Sequence, residues 1–292
     1  MSTLKNKIDF AVILRVKNAN PNGDPLNGNR PRTDYEGHGE ISDVCIKRKI
    51  RDRLMEIKDE KNEYKYKVFV QSDDRKLDDA TSLKDRAEKA LGKDLGGKET
   101  IQKACAQWID VRAFGQLFAF SGKKGKKKDE NGVADGDDAS GTSVPIRGPV
   151  SIHHAFSVDT VSVTSTQITK SVNSEDTKDG KRGSDTMGMK HRVDNGTYVF
   201  YGSMNPQLAD KTQFSDEDKG AIKSILPKLF ENDASSARPE GSMEVLKVLW
   251  WEQPGSGKFS SAKVHGSLIV NADGTYTVKE LSGLIPVEIE GF

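Results

Sequence analysis

An α+β fold of the split βαβ kind is what this 292-residue sequence predicts. Three observations carry that expectation. The core-forming segments occur in the order strand, helix, strand, strand, helix, strand. The opening strand alternates with period two, as a half-buried strand of an open sheet does. Apolar residues make up only 34% of the chain and charged residues 30%, so a modest core carries long polar excursions. The length permits one large domain or two small ones, and the element order favours a single domain over 1–292.

The elements follow in order. Ile8, Phe10, Val12, Leu14 and Val16 share one face of the first strand, and Asp9, Ala11, Ile13, Arg15 and Lys17 share the other. An Asn/Gly/Pro-rich loop leads to Ser42, which caps a helix with Asp43 in its first turn. Ile46, Ile50, Leu54 and Ile57 give that helix an apolar stripe. A short strand, KVFVQ, is expected to end at Gln71. Residues 73–108 read as a charged, peripheral helical insert broken at Gly92–Gly97. The stretch 116–144 holds a basic run followed by an acidic one and reads as a flexible polar loop. Two extended segments flank a polar tip over 166–192 and suggest a protruding β-arm. Ser215 caps a second core helix whose acids fill the first turn, and Pro227 predicts its kink or early end. A strand, EVLKVLWWE, and a hairpin turning at Asn271–Gly274 complete the chain. This is the ferredoxin-like plan, which the RNA-recognition fold shares.

Composition narrows the function. Net charge is only +1, so affinity for nucleic acid must come from local patches. Cys45 and Cys105 do not make a disulfide framework, and a cytoplasmic setting is expected. No segment has the length and apolarity to span a bilayer, so no membrane partner is expected. The histidines lack zinc-site spacing, and the acidic pairs have no apolar walls to shift their pKa values. Gly255-Ser256-Gly257-Lys258 lacks the first glycine and the hydroxyl of a phosphate loop. Neither a cofactor, a metal site nor a catalytic residue is expected.

The richest region is the first strand, its loop and the helix after it. Five of the seven residues from Lys47 to Arg53 are basic, and Lys47 and Arg51 lie one turn apart with Arg48 beside them. In the loop, Asn18, Asn20 and Asn22 offer amides, and Arg32 closes the run. Such a loop is costly to order alone, so contact with RNA or a neighbouring copy is expected. Arg112 and Arg147 stand beside glycine turns, where an arginine can grip phosphate or make a structural salt bridge.

The blocks NANPNGD, GNRPR, GHGEISDVCIKRKIR, DVRAFG, IRGPV and TMGMKH occur in that order. Together they resemble the backbone subunit of the type I-C CRISPR surveillance complex, Cascade, a RAMP-type RNA-binding family. The resemblance implies an RRM-like palm, a helical finger at 73–108 and a β-hairpin thumb at 166–192. It implies copies of the chain in a helical filament along crRNA, with each thumb kinking the guide and flipping out a base. Target DNA would then be read by pairing with the guide, in antiviral defence. A guide-processing subunit and a large subunit are the implied partners. Thumb contacts would come from Lys170, Lys190, His191 and Arg192, and Met187 would wedge between bases or pack into a neighbouring subunit. Met189 stands where a basic residue is expected. Relatives sharing such a palm include endoribonucleases that process or cleave RNA. For that alternative, His38 and Asp24 are the residues to consider. A general single-strand binder is the third class.

Overall fold

The computed structural model describes residues 2–97, 99–119, 143–169 and 187–292. Strand β1 (Lys7–Ala19) leads into the small hairpin β2 (Gly23–Asp24) and β3 (Arg30–Pro31), then β4 (His38–Ile41) and helix α1 (Asp43–Glu56). The insert holds α2 (Leu83–Leu91) and α3 (Thr100–Gln107), and α4 (Ile109–Phe114) runs into β5 (Gly115–Ala119). Then come β6 (Ser143–Arg147), β7 (Val150–Ile152), β8 (Ala155–Thr160), β9 (Val163–Thr169) and the long β10 (Met187–Met204). Helices α5 (Pro206–Thr212) and α6 (Asp216–Ile225) precede β11 (Met243–Gln253). Helix α7 (Ser261–His265), the hairpin β12 (Leu268–Val270) and β13 (Tyr276–Val278), and β14 (Val287–Glu290) end the chain.

The architecture is mixed α and β around a central antiparallel sheet. Its strands run in the order β14-β11-β1-β10-β8-β4, and β7 and β9 also pair with β10. β1 sits between β10 and β11, with Phe10 opposite Gly202 on one side and Trp250 on the other. A Cβ on residue 202 would lie 2.2 Å from the Phe10 ring, so glycine leaves room for that ring to stack on Trp250 at 5.4 Å. On this face Ile8, Phe10, Val12, Leu14 and Val16 join Ile46, Ile50 and Leu54 of α1 and Ile222 and Ile225 of α6 in the main core.

The opening strand is buried more completely than expected. Ala11 and Ile13, on the face read as half-exposed, pack with Val264 of α7 and Leu268 of β12 in a second cluster. The C-terminal hairpin, turning at Asn271 to Gly274, therefore covers the sheet. A third cluster, built on Phe69, Trp108 and Phe118, anchors the helical insert.

Local signals match the helices. Ser42 Oγ accepts from the Cys45 N–H at 3.3 Å, and Ser215 with Asp218 forms a reciprocal capping box. Helix α6 stops at Ile225 and tightens into a 3₁₀ turn over Leu226–Lys228, as Pro227 requires. KVFVQ is not a strand. The Phe69 and Val70 N–H groups donate to the Asp110 carboxylate at 2.7 and 3.1 Å instead of to a sheet neighbour. A side chain thus takes the role a ladder would have played. The polar run within 116–144 lies largely outside the described residues, as do Lys170 and Thr186.

Candidate nucleic-acid interface

Strand β10 is 18 residues long and serves two partners. From Val193 onward it pairs with β1, and from Met187 to Val193 it pairs with β9, with Lys190 opposite Thr166 and Arg192 opposite Thr164. The segment outside the sheet is therefore a two-stranded arm whose β9 side chains from Ser165 to Thr169 are exposed. At the arm's base, Asn18 adopts a left-handed backbone (φ 53°), which asparagine tolerates well.

A groove of about 450 Å³ opens at that base. Asn18, Lys190, His191 and Arg192 line it together with Ser236, Ala237 and Pro239, which form part of its wall. Lys190 is exposed and has no acidic partner among the described residues. Among the described residues Arg192 has one acidic partner, Asp194, at 3.3 Å, and both side chains are more than 40% exposed. His191 Nδ1 lies 2.8 Å from Ser165 Oγ. Arg30 donates to the same Ser165 Oγ at 3.2 Å, tying the β2–β3 hairpin to the arm. Four residues sequence reading expected to bind RNA thus meet in one place. It missed Arg30 and the 236–239 wall. The alternation of Arg30 with Arg32 inside GNRPR was the available signal for Arg30. The wall is brought in by long-range packing.

The loop amides serve the fold. Asn20 is buried, and its side-chain N–H₂ donates to the Asn29 carbonyl at 2.7 Å. Asn22 Oδ1 accepts from both the N–H and the hydroxyl of Ser42, at 2.9 and 2.8 Å, and so braces the start of α1. Arg32 lies 3.5 Å from Asp24. These internal bonds hold the loop to the fold alongside any contact it makes.

Helix α1 differs equally from a bare basic face. Lys47 meets Asp43 at 2.8 Å, and Arg48 lies between Asp52 and Asp233 at 3.6 and 3.7 Å. Arg51 bonds Asp110 at 2.9 Å with only 12% of its side chain exposed. Burial alone would lift the Asp43 carboxyl, but Lys47 and His154 outweigh it and hold the group below the usual carboxylate range.

Arg112 makes the structural salt bridge. Its Nε and Nη2 reach the two oxygens of Asp218 at 3.1 and 2.8 Å, and Nη1 donates to the Cys105 carbonyl at 2.6 Å. Arg147 is exposed at the end of β6. Met187 is 67% exposed at the start of the described arm, with Gln167 Nε2 at 2.9 Å from its sulfur. Of the two residues considered for catalysis, Asp24 caps the Leu26 N–H at 3.2 Å and His38 Nδ1 lies 3.0 Å from the Ser157 carbonyl.

A curated protein of Haloferax volcanii, described as CRISPR-associated protein Cas7, is 28% identical over 262 residues, covering 85% of this chain and 71% of its own. A structure of a pre-nicking CRISPR RNA-guided surveillance complex contains a chain that aligns with 92% of this one and 84% of its own length, at 14% identity and a TM-score of 0.45. A second CRISPR RNA-guided surveillance complex aligns with 92% of this chain and 77% of its own, at 17% identity and a TM-score of 0.44. The model of the family described as CRISPR-associated protein Cas7 matches residues 6–284, nearly the whole sequence. The chain belongs to the CRISPR-associated protein Cas7 family.

Proposed function

We propose that this chain is a non-catalytic scaffold that holds crRNA, polymerises along it in a type I-C Cascade complex and presents it for pairing with target DNA. The family supports the scaffold role, and the ordered motif blocks support the type I-C assignment. The observation that carries the RNA-binding reading is the groove at the arm's base. There a lysine, a histidine and an arginine lie together with an exposed amide in one groove of about 450 Å³.

The sheet order β11-β1-β10-β8, with α1 after β1 and α6 after β10, supports a ferredoxin-like palm within a single domain over 1–292. In this reading 73–108 is the finger, 116–144 a flexible insert and 166–192 the thumb. Lys190, His191, Arg192, Arg147 and Asn18 touch the guide, and Lys170 extends the set along the arm. Met187 stacks on bases at the kink. Lys47 and Arg48 add charge from behind their ion pairs. Other copies, a guide-processing subunit and a large subunit complete the assembly. No helix among the described residues is long and apolar enough to cross a membrane, and Cys45 and Cys105 are unpaired thiols, which suits the reducing cytoplasm.

Electron microscopy of the chain co-expressed with its guide tests this directly. Ordered copies at a regular interval along one RNA are expected. The purified protein, with repeat RNA or complementary RNA and with or without divalent metal, should leave both intact. Site-specific cleavage abolished by His38→Ala or Asp24→Ala would replace the scaffold with an endoribonuclease.

A further inference from the structure

The most deeply buried cation of α1 is Lys49, whose side chain is 1% exposed and whose ammonium meets Asp233. Asp233 also accepts from Arg238 Nε at 3.1 Å and faces Arg48 at 3.7 Å. The Lys49 ammonium sits 5.4 Å from the centre of the Phe230 ring. Arg75 adds a second tie by donating to the Asn232 carbonyl. Beyond these anchors the chain turns, with Ser235 and Arg238 exchanging backbone hydrogen bonds at 2.8 and 3.0 Å. The Ala237 carbonyl then accepts from the Asn20 N–H at 2.8 Å. This turn supplies Ser236, Ala237 and Pro239, part of the groove's wall.

A buried ion pair is a weak source of stability, because desolvation offsets most of its attraction. An apolar pair would hold α1 to this segment comparably well, but it would not fix the direction of Arg238 or the turn it closes. We propose that the Lys49–Asp233–Arg238 linkage is a positioning device for the RNA groove, through which Lys49 sets the 236–239 wall without itself touching the guide. The inference rests on the groove reading given above. It makes Lys49, Asp233 and Arg238 positioning residues.

The test uses the full chain, a fluorescein-labelled single-stranded RNA, anisotropy over a salt series and hydrogen exchange at the Asn20 amide. Arg238→Gln removes only the outer partner, 20% exposed, and leaves Lys49 on Asp233. Asp233→Asn weakens the whole linkage. Each should lower affinity about threefold to tenfold, the range for residues acting through a packed network. The salt slope should stay at the wild-type value, because no phosphate contact is lost. Asn20 exchange should accelerate. Unchanged affinity or unchanged Asn20 exchange overturns the proposal, and so does a slope flattened by about 0.7, which would mark Arg238 as a direct phosphate contact. If Asp233→Asn fails to fold, Arg238→Gln decides alone. Lys190→Ala separates the two levels. If it weakens binding and Arg238→Gln does not, only the positioning role fails. If Lys190→Ala also has no effect, the groove reading fails with it.

Discussion

Helix α1 and the arm strand β10 carry similar basic residues in opposite circumstances. On α1, Lys47, Arg48, Lys49 and Arg51 each face a carboxylate, and Lys49 and Arg51 are largely withdrawn from water. On β10, Lys190 has no acid among the described residues, and Arg192 has one loose, exposed partner. The helix holds the denser run of positive charge, yet the arm offers more of it to a ligand. What a polyanion meets is the charge left over after the fold has satisfied its own carboxylates, and a count along the sequence does not give that number.

The contrast can be broken most forcefully at Arg51. Arg51→Ala strands the Asp110 carboxylate, which is 1% exposed, and should cost about 3 kcal/mol of folding stability. The two backbone N–H donors on Asp110 keep the cost at the low end. A urea midpoint measures it, and a variant as stable as the wild type would return Arg51 to the surface class. Next in size is the arm. Lys190→Ala with Arg192→Ala should leave the midpoint near wild type. It should weaken RNA binding about tenfold or more and flatten the salt slope by about 1.4, two contacts at roughly 0.7 each. A slope that stays put would remove these residues from the phosphate path.

Met187→Ser should cost about twofold to fivefold in affinity, the worth of one sulfur–ring contact. It should also dim a 2-aminopurine placed at the kinked position of the guide. An unaltered signal would assign Met187 to a neighbouring subunit instead. The smallest effect is on pH dependence. Burial lifts the Asp233 carboxyl, but Lys49, Arg238 and Arg48 outweigh it and hold the group below its ordinary value of 3.8. A depressed carboxylate stabilises the fold fully above its unfolded pKa, and that contribution is lost as pH falls through the folded value. The urea midpoint should therefore drop below about pH 4, and drop less in Asp233→Asn. Asp52 faces Arg48 and Arg75, but burial raises it, so its protonation partly offsets the loss.

Much of the fold was legible because its signals are local. The alternation from Ile8 to Val16, the Ser42 and Ser215 caps and the Pro227 stop each depend on a few neighbouring residues. The KVFVQ segment misled because β-branched and aromatic residues favour a strand, while Asp110, some 40 positions away, captures its amides. The second buried face of β1 could not be seen from the strand, since the cover comes from Val264 and Leu268 near the other end of the chain. The site was legible in part for the same reason. Lys190, His191 and Arg192 are consecutive and visible. The partners that neutralise Arg51 and Arg112 are Asp110 and Asp218, each far away in sequence.

Ultraviolet cross-linking of the guide-bound assembly, followed by mass spectrometry of the attached peptides, puts the comparison to its hardest trial. Adducts should concentrate on the arm peptide holding Lys190 to Arg192 and on the wall peptide holding Ser236 to Pro239. Adducts gathered on Lys47 to Arg51, with the arm and wall unmarked, would contradict the account.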